Sequence, residues 1–263
     1  MPDLTEVRWA AWVLDRRLGE EFGYANTVHT QIEAMADRVL DARGVSAGMT
    51  LLDIGAGEGL LGWRVIERIG PSLRVILSDI SEPLLPHARS AAVQRGVEAQ
   101  CSFTLCGAEE LVGVPNASVD VVTSRAALGH FADKRVALRE VWRELEPGGW
   151  LAIAEPMFRN EATKRVALRK LLDAQSPEGC DPFMARLLRR RSAQFRETDG
   201  KLAANPLTNY SERDFAPDAQ ACGFEDFHLQ LPIDVEPSDV PSWETIARLS
   251  PHRWAVSLGA MVT

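Results

Sequence analysis

An apolar strand that runs straight into three alternating glycines and then into a helix-forming stretch constrains this chain most: Leu51-Leu-Asp-Ile-Gly-Ala-Gly-Glu-Gly-Leu-Leu-Gly62. Gly55, Gly57 and Gly59 carry no Cβ, so the backbone can turn sharply and a ligand can approach its amides. Asp53 adds a carboxylate at the strand end, facing the same opening. Downstream the pattern alternates. Strands are expected over 50–54, 73–78, 101–105, 119–123 and 150–154, between helical stretches near 60–69, 82–95 and 134–145. Such alternation predicts an α/β fold with a doubly wound, mostly parallel sheet. Two helices, over 5–20 and 27–43, precede the first strand, the second carrying Ile32, Met35, Val39 and Leu40 at helical spacing before Gly44. Ser81 is placed to cap the helix after the second strand, and Pro147-Gly-Gly makes the turn feeding the fifth.

What the glycine loop holds is the functional question. Gly57-Glu-Gly59-Leu-Leu-Gly62 satisfies the dinucleotide pattern G-x-G-x-x-G, with Asp79 about twenty residues on. Two features weigh against NAD. A frame starting at the first glycine after the strand, Gly55, would need glycine where Leu60 stands. A carboxylate at Asp53 repels a pyrophosphate but accepts hydrogen bonds from a loop amide or an amino-acid ammonium. Asp79 follows the apolar run Val75-Ile-Leu-Ser78, and its carboxylate can accept both ribose hydroxyls of either kind of ligand.

Three later segments complete the pattern: Cys106-Gly-Ala-Glu-Glu-Leu111, Asp120-Val-Val-Thr-Ser-Arg-Ala-Ala-Leu-Gly-His-Phe-Ala-Asp133, and Leu145-Glu-Pro-Gly-Gly-Trp150. In order and spacing, with the glycine loop ahead of them, they resemble class I S-adenosylmethionine-dependent methyltransferases, over roughly Thr50 to Glu155. The texture is closest to the quinone-biosynthesis and small-metabolite branch. The resemblance implies a Rossmann-like sheet of seven strands with S-adenosylmethionine across the carboxyl ends of the first, second and fourth. By motif, Asp53, Gly55, Ala56, Gly57 and Gly59 would hold the methionine and ribose portion. Asp79 would bind the ribose diol, Ile80 would lie against adenine, Ala108 and Glu109 would border its amino edge, and Arg125 would touch the methionine end. Many relatives carry Asp where this chain has Gly107, so the adenine hydrogen bond would come from backbone groups or Glu109. His130, after the fourth strand, is the candidate general base toward the acceptor; a packed or solvent-bound histidine is the alternative.

At 263 residues the chain suits one α/β domain with an added helical element. The expected division is an N-terminal helical lid over 1–45, a cofactor-binding core over 46–156, a helical cap insertion over 157–210 interrupted at Ser176-Pro-Glu-Gly179, and completion of the sheet over 211–263. In the last part Ser211 caps a helix ending near Gly223, followed by strands over 224–231 and 253–262. A net charge of -8 argues against a nucleic-acid footprint and for a small-molecule acceptor. Arg186, Arg189, Arg190, Arg191 and Arg196 could meet an anionic acceptor, but their spacing spreads them around a helix. Trp9 and Trp12 anchor or line a lid, and Tyr24 and Tyr210 are candidate rim residues or, at least as often for such tyrosines, simply packed. Cys101, Cys106, Cys180 and Cys222 lack metal-ligand spacing. No signal peptide or membrane span is read, so a cytoplasmic protein is expected, with a homodimer left open. Three competing functions remain: a cofactor-binding protein that transfers no methyl group, an NAD-dependent oxidoreductase and, disfavoured by charge, RNA methylation.

Overall fold

The computed structural model describes residues 33–42, 44–174, 189 and 198–230. Outside them lie the helix over 5–20, Trp9, Trp12, Tyr24, Ile32, the interruption at 176–179, Cys180, Arg186, Arg190, Arg191, Arg196 and the strand over 253–262. The chain divides into two compact units, Met1–Glu155 and Pro156–Thr263.

In the first unit, helix α1 covers 33–41. Then come β1 (Thr50–Ile54), α2 (Leu60–Ile69), β2 (Arg74–Asp79), α3 (Leu84–Gln94), β3 (Cys101–Leu105), β4 (Val119–Arg125), α4 (Lys134–Glu144) and β5 (Leu145–Ala154). All paired strands run parallel, in the order β3-β2-β1-β4-β5. The order reverses at β1, between β2 and β4, which opens a crevice at the carboxyl ends of β1 and β4. Both faces of β1 are covered, so Leu51 and Leu52 are buried alike, as continuous apolar strands of parallel sheets require. On α2, Leu61, Trp63, Val65 and Ile66 are buried, and Arg64 on the same helix holds Asp37 of α1 through two 2.8 Å bonds. The Arg64 bonds keep the Asp37 carboxyl below its ordinary pKa.

The second unit contains α5 (Arg159–Ala174), α6 (Asp199–Ala204) and α7 (Glu212–Ala221). Phe158, Ala162, Val166 and Leu202 form its small core. Ser211 starts α7, and the Asp214 carboxylate reaches back to the Ser211 N–H at 2.9 Å, a capping-box arrangement. Tyr210, for which a rim position and packing were both open, is buried.

Two local expectations are corrected. Ser81 does not cap α3: Pro83 stands at the N-cap, and the buried Ser81 hydroxyl has no partner among the described residues. The Asp79 carboxylate instead draws in the Ser81 N–H at 2.8 Å, fixing the turn before the helix begins. No strand forms over 224–230, and position 231 lies outside the described residues. Asp226 takes a left-handed φ of 55°, which breaks an extended run, and Phe227 and Leu229 stay exposed. Five strands are therefore seen among the described residues, against the seven implied by resemblance.

Candidate functional site

The carboxyl ends of the strands are joined into one rim by hydrogen bonds that run past the sheet. Ala56 N–H reaches Ser78 O at 3.0 Å, Cys106 N–H reaches Asp79 O at 3.1 Å, and Ala126 N–H reaches Ala154 O at 2.9 Å. Gly55 turns the chain out of β1 at φ 67°, and a Cβ there would stand 2.3 Å from the Ala127 Cβ. The glycine loop and the turn after β4 are thus in direct contact. At Gly57 a Cβ would meet nothing within 4 Å, so the loop faces open space there.

Asp79 anchors that loop from β2. Its Oδ2 accepts the Gly57 N–H at 2.7 Å and its Oδ1 the Ser81 N–H at 2.8 Å. Both carboxylate oxygens of Asp79 thus tie the glycine loop to the turn before α3. Ile80, next in the chain, is 64% exposed, and Gly107 beside it leaves the isoleucine face uncovered. Ala108 is buried. The Glu109 Oε1 accepts the Asp133 N–H at 3.1 Å, just before α4.

Asp53 is 2% exposed, and the Thr123 hydroxyl donates to its Oδ1 at 3.1 Å across the β1–β4 register. Burial pushes its carboxyl up to about 7, with the Thr123 bond and the Arg125 charge pulling down and the Asp79 charge pushing up. A carboxylate so deeply placed and so lightly bonded is chemically suited to a ligand cation.

The turn after β4 holds the rest. Ala126 is left-handed at φ 54°, unusual for a residue with a Cβ. The Glu155 carboxylate, at the end of β5, accepts Ala127 N–H at 2.8 Å and Leu128 N–H at 2.7 Å on Oε1, and Gly129 N–H at 3.3 Å on Oε2. Burial pushes Glu155 up to about 7 even though these amides and Arg125 favour its charge. The buried Lys134 ammonium donates to Gly129 O at 3.4 Å and Phe131 O at 3.1 Å. His130 ends the short 3-10 turn Leu128–His130, its surface reaching solvent. The surrounding protein mass, then the Lys134 charge, keep its pKa below the ordinary imidazole value. Neutral imidazole therefore prevails near pH 7, the form that accepts a proton.

Among the described residues, no group of three His, Cys, Asp or Glu side chains could hold a metal ion. None of their helices is long and apolar enough to cross a membrane. Cys101 and Cys106 are free thiols. Sequence reading placed Asp53, Asp79, Gly55, Gly57, Ile80 and Arg125 around one opening but passed over Glu155 and Lys134. A charged residue directly after a strand, in Ala154-Glu-Pro156, was the available signal.

A parallel sheet whose order reverses at β1, with a glycine loop and two carboxylates at its carboxyl edge, is in keeping with the class I S-adenosylmethionine-dependent methyltransferases. The chain belongs to this family, matching the methyltransferase domain model over residues 45–194. It is 36% identical over 116 residues to the ubiquinone/menaquinone biosynthesis C-methyltransferase UbiE of Cellvibrio japonicus, covering 44% of this chain and 46% of that protein. With UbiE of Pseudomonas putida it shares 31% over 167 residues, 64% of this chain and 63% of the relative. The chain thus spans about half the length of the curated relatives it matches. In fold it is similar to a solved chain from the complex between the Haloferax volcanii Trm112 methyltransferase activator and a candidate methyltransferase. There the TM-score is 0.62 at 18% identity, over 95% of this chain and 92% of that one.

Proposed function

We propose that this protein binds S-adenosylmethionine at the rim of β1, β2 and β4 and transfers its methyl group to a small-molecule acceptor. The observation that carries the reading is the pairing at one rim of Asp53, buried and lightly bonded, with Asp79, which anchors Gly57 of the glycine loop. The cofactor supplies an electrophilic methyl group on a sulfonium centre. Asp53 would receive the ammonium of its methionine portion, Asp79 the ribose hydroxyls, and Ile80 one face of the adenine. Gly55, Ala56, Gly57 and Gly59 would lie along the amino-acid and ribose portion. The Ala108 backbone and Glu109 would border the adenine edge, and Arg125 the carboxylate end.

Methyl transfer needs the accepting atom aligned about 3 Å from the methyl carbon and water excluded, so positioning supplies much of the rate. His130 is the residue proposed to take the acceptor's proton, being neutral near pH 7. His130→Ala is expected to lower turnover about 100-fold while S-adenosylmethionine affinity changes less than about threefold; single-turnover assays alongside calorimetry check the split. Unchanged turnover removes His130 from the chemistry.

A small acceptor is favoured over RNA by the net charge of -8, and localisation in the cytoplasm is proposed with it. The names of the curated relatives direct the first assay to quinol and phenol acceptors, followed by amines and thiols. S-adenosylhomocysteine released in proportion to a methylated acceptor supports the function. Cofactor binding without transfer to any class would assign the protein a binding role instead.

A further inference from the structure

We infer that Glu155 is a positioning residue for the cofactor site, holding the turn after β4 against the glycine loop by serving as an internal anion for three consecutive amides. This rests on the proposed cofactor-binding reading. The geometry is unusually complete. Ala127, Leu128 and Gly129 all aim their N–H groups at one carboxylate, two of them at Oε1 within 2.8 Å. Successive amides converging in this way form an anion-binding concavity, ordinarily filled by a ligand; here the chain fills it from the end of β5.

Lys134 grips the same turn through its carbonyls, donating to the Gly129 and Phe131 oxygens. Carboxylate on amides and ammonium on carbonyls together fix the polarity of the segment between Ala126 and Asp133. The turn has reason to need holding, because Ala126 sits in a left-handed conformation that an alanine leaves when free to do so.

The consequence reaches the glycine loop through Ala127. A Cβ at Gly55 would lie 2.3 Å from the Ala127 Cβ, so the two backbones are packed as closely as a missing side chain allows. If the amides of 127–129 lose their anion, Ala127 moves, and the wall against which Gly55 turns moves with it. Glu155 therefore acts on the cofactor without touching it, through Ala127 and Gly55.

Two substitutions separate this role from general support of the fold. Glu155→Gln keeps an oxygen that can accept from both Ala127 and Leu128 and loses only the Gly129 bond and the charge. Glu155→Leu removes every acceptor. Hydrogen exchange of the amides over 127–129 and calorimetric titration with S-adenosylmethionine are measured on both variants and the parent. For Glu155→Leu the expected result is exchange at 127–129 at least about tenfold faster and affinity about 30-fold weaker, with the Gly57 amide still protected by Asp79. Glu155→Gln is expected to lose no more than about threefold in affinity, with faster exchange confined to Gly129.

Affinity within about threefold of the parent in Glu155→Leu, or unaltered exchange at 127–129, overturns the inference. Should Glu155→Leu fail to fold, Glu155→Gln decides: faster exchange at Gly129 supports the internal anion, and unchanged exchange refutes it. A parent protein that takes up no S-adenosylmethionine defeats the proposed function, and the exchange data alone then judge the clamp.

Discussion

Asp53→Asn is expected to raise the thermal midpoint of the ligand-free protein at pH 8 by about 5 °C and at the same time to remove most of its affinity for S-adenosylmethionine. The carboxyl is 2% exposed, and burial pushes it up to about 7, against an ordinary aspartate value near 4. A carboxyl raised on folding binds its proton more tightly in the folded state. Its stabilising contribution is thus complete below about pH 4 and is lost as pH rises through about 7. About three units of difference set an upper bound of about 4 kcal/mol on the cost of carrying the charge at pH 8. Asparagine keeps the shape and an oxygen for the Thr123 hydroxyl but has no charge to bury. The gain in midpoint should vanish at pH 4, and the fall in stability from pH 5 to pH 8 should be shallower than in the parent. Glu155 titrates in the same range and with the same sign, so the informative quantity is the difference between variant and parent. Thermal scans across that range, with calorimetry at pH 8, test both halves. A lower midpoint at pH 8, or affinity left intact, contradicts the role given to Asp53.

Asp79→Ala is expected to weaken S-adenosylmethionine binding at least about 100-fold, because two kinds of contact disappear together. The Gly57 N–H at 2.7 Å loses the partner that orders the glycine loop. The ribose hydroxyls lose a charged acceptor, each such bond contributing about 1.5–3 kcal/mol. Asp79→Asn retains one acceptor oxygen and should fall between parent and alanine. Equilibrium titration of the three proteins gives the order directly; equal affinities would assign Asp79 to the loop turn alone.

Much of this site was legible because the relevant interactions are local or periodic. The strand over 50–54 and the helix over 60–69 occur with those bounds, since an apolar run flanked by glycines leaves few other solutions. Asp53 and Asp79 stand out by position, as charged residues at the ends of buried strands. Glu155 and Lys134 act across 26 to 28 positions and 3 to 5 positions respectively, through backbone groups that no side-chain pattern encodes. The bond from the Asp133 N–H before α4 to Glu109, 24 positions back, is another contact between distant positions that no local pattern displays. The strand expected over 224–231 misled for another reason. Phe224, Phe227 and Leu229 are apolar, but apolar residues specify a strand only where a sheet edge receives them, and Asp226 turns left-handed between them.

Calorimetric titration of the unaltered protein with S-adenosylmethionine, with NAD as the comparison ligand, addresses the central claim most directly. One saturable site for S-adenosylmethionine, a raised thermal midpoint at saturation and no response to NAD are the predicted results. No heat and no shift in midpoint with S-adenosylmethionine, together with Asp53→Asn and Asp79→Ala proteins that behave like the parent, would contradict it.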